Sequence, residues 1–149
     1  TWKEITANGL FTNHDSNGDS LYGADISTHP KHRHEGIGGM LYEARKELAA
    51  TLNLRRMIAG GRLFNYTEYA DRMSPLEYAG KVIAGELKDP VLSFELDNGF
   101  RFIKILPIWM DESKISWYTS LYFDFVNAFH NSANTDQREW NNSSKAIIY

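Results

Sequence analysis

His29-Pro30-Lys31-His32-Arg33-His34-Glu35-Gly36-Ile37-Gly38-Gly39-Met40-Leu41 is the stretch where the chain passes from an apparent strand into an amphipathic helix. Backbone N–H groups at a helix start have no intrahelical partner, and Gly36, Gly38 and Gly39 let an anion approach the main chain closely. The junction is therefore chemically suited to phosphate. Pro30 restricts His29 and cannot donate to a ladder, which ends the preceding strand at Thr28. On the other side Ile37, Met40, Leu41, Ala44, Leu48 and Leu52 recur at helical spacing, with Glu43, Arg45, Lys46 and Glu47 on the remaining faces. Asn53 ends this helix, and Met57-Ile58-Ala59 within Arg55–Gly60 has the composition of a buried strand. Strand, loop, helix and strand form a βαβ unit, whose crossover is expected to be right-handed and parallel.

Upstream, Gly9–His14 and Ser20–Thr28 read as two strands of a hairpin turning at Asn17-Gly18. Asp15, Asn17 and Asp19 also imitate the opening of a calcium loop. However, the glycine stands two places early, and Ile26 occupies the position of the closing glutamate.

Downstream, Gly60–Tyr66 is an aromatic loop after the second parallel strand, where α/β proteins often place binding groups. Ser74-Pro75-Leu76-Glu77 carries a cap, a first-turn proline and a capping box, and Ala79, Val82, Ile83 and Leu87 supply that helix's apolar stripe. Asp89-Pro90 starts another short helix that Gly99 can close in a left-handed conformation. Phe100–Trp109 is expected as a strand, with Pro107 near its end implying an edge or bulge. Ile115–Val126 alternates, Leu121, Phe123 and Phe125 to one side and Ser120, Tyr122 and Asp124 to the other. The two should pair antiparallel through 110–114. Residues 130–149 form a polar tail, of which Ala146–Tyr149 can dock as a strand.

Composition narrows the function. The chain has 149 residues, 42% of them hydrophobic, enough for one globular domain with a substantial core. Sixteen Lys and Arg against 19 Asp and Glu give a net charge of −3, which offers no field for a nucleic-acid backbone. Cysteine is absent, removing disulfides and Cys-based zinc sites. No apolar run is long enough to span a bilayer and no signal-like segment lies near Thr1, so the expected location is cytoplasmic. His29, His32 and His34, with His14 or Asp25 nearby, lack a recognised metal-ligand spacing and read as solvated loop histidines; no metal is expected. No Lys-Ser/Thr follows the glycines as in a P-loop, and their spacing does not suit a dinucleotide fold.

Arg33-x-x-Gly36-x-Gly38, preceded by Ile26-Ser27-Thr28 and followed by Gly39-Met40-Leu41-Tyr42, resembles the acetyl-CoA motif of the GNAT N-acetyltransferase superfamily. Gly99-Phe100 resembles a pair many of these enzymes carry before their last two strands. Asp89–Phe94 with Asn98-Gly99-Phe100 looks like a bacterial branch sometimes joined to nitrilase-type domains. The resemblance covers roughly 1–126 and implies an α/β (α+β) fold, a mixed, largely antiparallel sheet with a central parallel strand pair and flanking helices. It further implies a GNAT-like domain over 1–129 that lacks the usual N-terminal elements. A homodimer or a complementing N-terminal segment would then complete the acceptor pocket.

The resemblance implies transfer of an acetyl group from acetyl-CoA to an amine. Ile26, Ser27 and Thr28 would face the pantetheine arm, while Arg33, His34, Glu35, Gly36, Ile37, Gly38 and Gly39 would hold the pyrophosphate. His34 and Glu35 depart from the small or basic residues common in this loop, and Glu35 turned inward would repel phosphate. The chemistry needs a base for the amine and a proton for the departing thiolate. Asp25, on the strand leading into the loop, is the candidate base. The family's usual general-acid tyrosine aligns with Glu95, so Tyr66, or Tyr69, becomes the candidate acid. The alternative is a non-catalytic GNAT-like module that binds acyl-CoA or only a partner.

Overall fold

The structure, a computed structural model, describes residues 2–106, 120–131 and 146–148. Its order is α1 (Trp2–Ile5), β1 (Ser20–Gly23), α2 (Ile37–Thr51), β2 (Arg56–Arg62), α3 (Pro75–Ile83), α4 (Pro90–Asp97), β3 (Arg101–Leu106), β4 (Ser120–Val126) and β5 (Ala146–Ile148). The architecture is mixed α+β with a parallel strand pair. The chain divides into two compact units, one over Gly60–Asp124, the other made of Trp2–Ala59 with Phe125–Tyr149; the boundaries fall inside β2 and β4.

In the unit made of Trp2–Ala59 with Phe125–Tyr149, β1 pairs in parallel with β2 from Ser20↔Arg56 to Gly23↔Ala59. A parallel pair cannot be closed by a tight turn, and α2 supplies the crossover. Leu21, Tyr22, Met57, Ile58 and Ala59 are buried, as a strand pair covered on its faces requires. On its other edge β1 pairs in parallel with β5, from Ser20↔Ala146 to Tyr22↔Ile148, so the expected docking of the last residues takes this form.

Several expectations are corrected here. No strand forms over Gly9–His14 and the hairpin does not exist. Thr6 accepts the Phe11 N–H on its carbonyl and the Gly9 N–H on its hydroxyl, and Ala7, Asn8, Gly9 and Phe11 all take positive φ. Such residues cannot belong to a ladder. The Asn17-Gly18 signal is satisfied locally, since Asp15 accepts from the N–H groups of both residues. β1 also ends at Gly23 rather than Thr28.

The α2 stripe is rotated from the expected one. Tyr42 and Ala49, seven residues apart and so on one face, are buried, while Met40, Leu41 and Leu52 are exposed. Asn53, at φ +49, closes the helix as expected. The polar segment after β4 is stitched back to the start of β2. Asn127 donates to the carbonyls of Arg55 and Leu54, and Asn131 and Asn53 exchange two hydrogen bonds.

In the unit over Gly60–Asp124, β3 and β4 are antiparallel, with Phe102 opposite Phe123 and Arg101 opposite Asp124. The Arg101 guanidinium grips both carboxylate oxygens of Asp124 at 2.9–3.1 Å. The expected reach of these strands to Trp109 and Ile115, the Pro107 bulge and the 110–114 connection lie outside the described residues. Leu121 and Phe123 are buried as the alternation predicts, whereas Phe125 is half-exposed.

α3 starts as expected. Ser74 N–H donates to Glu77 Oε2 at 2.7 Å, and Glu77 N–H donates to Ser74 Oγ at 3.3 Å. Tyr78, Ala79 and Val82 form its buried face, and Ile83 is exposed. Asp89 caps α4 from a fully buried position. Its Oδ1 accepts from Val91 and Leu92 N–H, and its Oδ2 accepts from Asn65 N–H and the Tyr78 hydroxyl. Burial first, and the Asp89 charge second, raise the Tyr78 hydroxyl far above the usual tyrosine range, so it stays a donor. Gly61 sits against this core, where a Cβ would stand 3.0 Å from both the Phe123 ring and Val91 Cγ1.

Asp89→Ala strips the acceptors from four donors and should destabilise the chain by about 3 kcal/mol, read from urea unfolding. The hydrogen bonds from the Ser74 amide and hydroxyl lower the Glu77 pKa. The stabilisation from this lowered pKa is present above the ordinary carboxyl range and is lost as pH falls through the folded value. Glu77→Gln should thus be less stable than the parent at neutral pH, with the difference shrinking on acidification.

Candidate acyl-donor site at the start of α2

Beyond the Gly23↔Ala59 pair, β1 leaves its ladder. Ile26, Ser27 and Thr28 lie outside any strand and, among the described residues, make no backbone hydrogen bond. Pro30–His32 then forms one 3₁₀ turn, started by His29 Nδ1 accepting from Lys31 N–H at 3.3 Å. His34 and Gly36 follow at φ +66 and +78, two left-handed residues that swing the chain into α2.

This geometry leaves several donors without protein partners. Gly36 caps α2 without any side-chain hydrogen bond, and its carbonyl accepts the Met40 N–H. The backbone N–H groups from His34 to Gly39 have no protein partner among the described residues. With the positive end of a fifteen-residue helix behind them, they form a cradle for an anion. Lys31 and Arg33 are exposed beside it. The carboxylate of Glu35 stands 3.3 Å from His32 Nδ1, so the one acid in the loop is engaged by a neighbouring ring.

Of the other expected residues, Asp25 is exposed and belongs to the irregular segment after β1, not to the strand itself. Its backbone carbonyl accepts from Arg45 Nη2 at 2.6 Å. Tyr66 is 3% exposed, and its hydroxyl donates to the Met73 carbonyl at 3.0 Å. Burial, then the Glu77 charge, raise its pKa and keep it protonated. Tyr69 packs against Tyr78 with the rings tilted and their centroids 5.1 Å apart, and it lies under Arg72 at 5.3 Å. Glu95 is buried on α4. Among the described residues no three His, Asp or Glu side chains converge as a metal site would need.

Among curated proteins, the chain is 44% identical over 128 residues to the "Probable hydrolase YhcX" of Bacillus subtilis (strain 168), an alignment covering 85% of this chain and 25% of that protein. It is 36% identical over 133 residues to the "Uncharacterized N-acetyltransferase YkwB" of the same strain, covering 89% of this chain and 58% of that one. Among solved structures it is similar to the GphF GNAT-like decarboxylase in complex with isobutyryl-CoA, with a TM-score of 0.60 at 19% identity over 76% of this chain and 59% of that chain. The chain thus shares its fold with a GNAT-like protein and is similar in sequence to a curated N-acetyltransferase. No family model matches it. It spans about a quarter of the first curated relative and 58% of the second.

Sequence reasoning missed Arg45, which it placed on the faces outside the apolar stripe. Its contact with Asp25 spans twenty residues, and no local spacing reports it. The glycine at the loop's apex was legible. Because Gly36 has φ +78 and nothing within 4 Å of a Cβ built on it, Gly36→Ala meets torsional cost without a clash. It should lower stability by about 1 kcal/mol in urea unfolding, and Gly36→Asn by less.

Proposed function

We propose that this chain transfers an acetyl group from acetyl-CoA to an amine. The row of backbone donors from His34 to Gly39 carries the reading. Such a row suits the pyrophosphate of CoA, with Arg33 as the adjacent cation and Ile26, Ser27 and Thr28 offering main-chain groups to the pantetheine arm. The kinship with an N-acetyltransferase and the fold shared with an isobutyryl-CoA complex support an acyl-CoA donor. The amine nitrogen attacks the thioester carbonyl, the C–S bond breaks, the amine loses a proton and the thiolate takes one up. Asp25, exposed on the segment next to the arm, is the proposed base, directly or through water. Tyr66 is the proposed acid, after its hydroxyl leaves the Met73 carbonyl. The proposed setting is the cytoplasm.

That engaged hydroxyl favours a second reading, in which the domain binds acyl-CoA without transfer. The word hydrolase in one relative's name attaches to a protein of which this chain matches 25%.

Calorimetry with acetyl-CoA, followed by thiol release across a panel of amines, separates the readings. Transfer predicts binding and turnover, a binding module predicts binding alone, and no binding overturns both. Gly38→Glu should lower acetyl-CoA affinity by about tenfold or more while the protein stays folded, because it sets bulk and negative charge where the phosphates lie. Tyr66→Phe should abolish most turnover and leave affinity unchanged if the hydroxyl is the acid.

A further inference from the structure

α2 carries a second polar contact besides its open first turn. Arg45 is half-buried, and its Nη2 donates to the Asp25 carbonyl at 2.6 Å, while its Nη1 lies 3.6 Å from where a Cβ on Gly23 would stand. The guanidinium therefore lies alongside the backbone at the point where β1 gives up its ladder. The contact is with the main chain, and the Asp25 carboxylate is left to solvent.

The next three residues have little to hold them. Ile26, Ser27 and Thr28 make no ladder bond among the described residues, and an extended chain without partners samples a broad region of φ and ψ. The Arg45 bond fixes the residue immediately before them. Arg45 also lies eight residues after Ile37 on the same helix, roughly 12 Å along its axis at about 1.5 Å per residue. One rigid rod thus presents anion-binding N–H groups at its first turn and clamps the Asp25 carbonyl two turns later.

We propose that Arg45 is a positioning residue that sets the course of the main chain from Asp25 to Thr28, and with it the binding of the acyl-pantetheine arm, without contributing to the phosphate cradle. This rests on the acyl-CoA reading above and assigns a separate determinant to the arm. A planar guanidinium suits the task, since one nitrogen can hold the carbonyl while the other lies against Gly23.

The experiment uses the full chain and two probes, acetyl-CoA and adenosine 3′,5′-bisphosphate, the second carrying nucleotide phosphates without the arm. Arg45→Ala should weaken acetyl-CoA binding by about tenfold or more, the order of one charge-assisted hydrogen bond, and leave the bisphosphate within about twofold of the parent. Arg45→Lys should recover part of the loss. Should Arg45→Ala fail to fold, Arg45→Gln gives the same comparison. Unchanged acetyl-CoA affinity, or equal loss of both probes, overturns the positioning role. If the parent binds neither probe, the acyl-CoA reading itself fails, and this inference with it.

Discussion

A parallel strand pair needs a crossover, and here the crossover also carries the proposed acyl-donor site. β1 and β2 run in the same direction, so the chain must return along the length of the pair before β2 begins. α2 makes that return, with its first turn placed after the loop that leaves β1. The uncapped N–H groups at its start and the main chain from Ile26 to Thr28, both without backbone partners among the described residues, follow from that topology. Gly36 and His34 let the chain turn sharply enough to join them. Shared GNAT architecture then needs no further special feature: a phosphate-suited helix start beside an open strand extension is what this connection produces.

The features legible in the sequence are those settled within a few residues. Ser74, Pro75 and Glu77 specify a helix start among themselves, and Asp89-Pro90 does the same by capping with its own side chain. The Gly36 loop is likewise local, because φ +78 is a property of one residue. The parallel pair is implied by the length and period of Ile37–Leu52, which only a helix fits.

The failures lie where distant or competing contacts decide. Asn17-Gly18 turns the chain whether or not strands flank it, and Thr6 bends residues 6–11 into left-handed turns ahead of it. For α2, ranking by hydrophobicity favours Leu41 and Met40, but the large ring of Tyr42 takes the buried face and the stripe rotates with it. The Arg45 contact joins positions twenty apart through a backbone carbonyl, which no side-chain pattern encodes. In the loop after β2, Tyr66 reads as the candidate acid, yet its hydroxyl is engaged by the Met73 carbonyl.

The Asp89 carboxylate also bears on how the Gly60–Asp124 unit moves. One oxygen serves the first turn of α4 and the other serves Asn65 and Tyr78, so three segments share a single fully buried acceptor group. Displacing Asp89 with the start of α4 leaves donors on the other two segments without their acceptor, so an opening there loosens the loop after β2 and the face of α3 as well, whereas either of those can part from Asp89 while its other oxygen still serves α4.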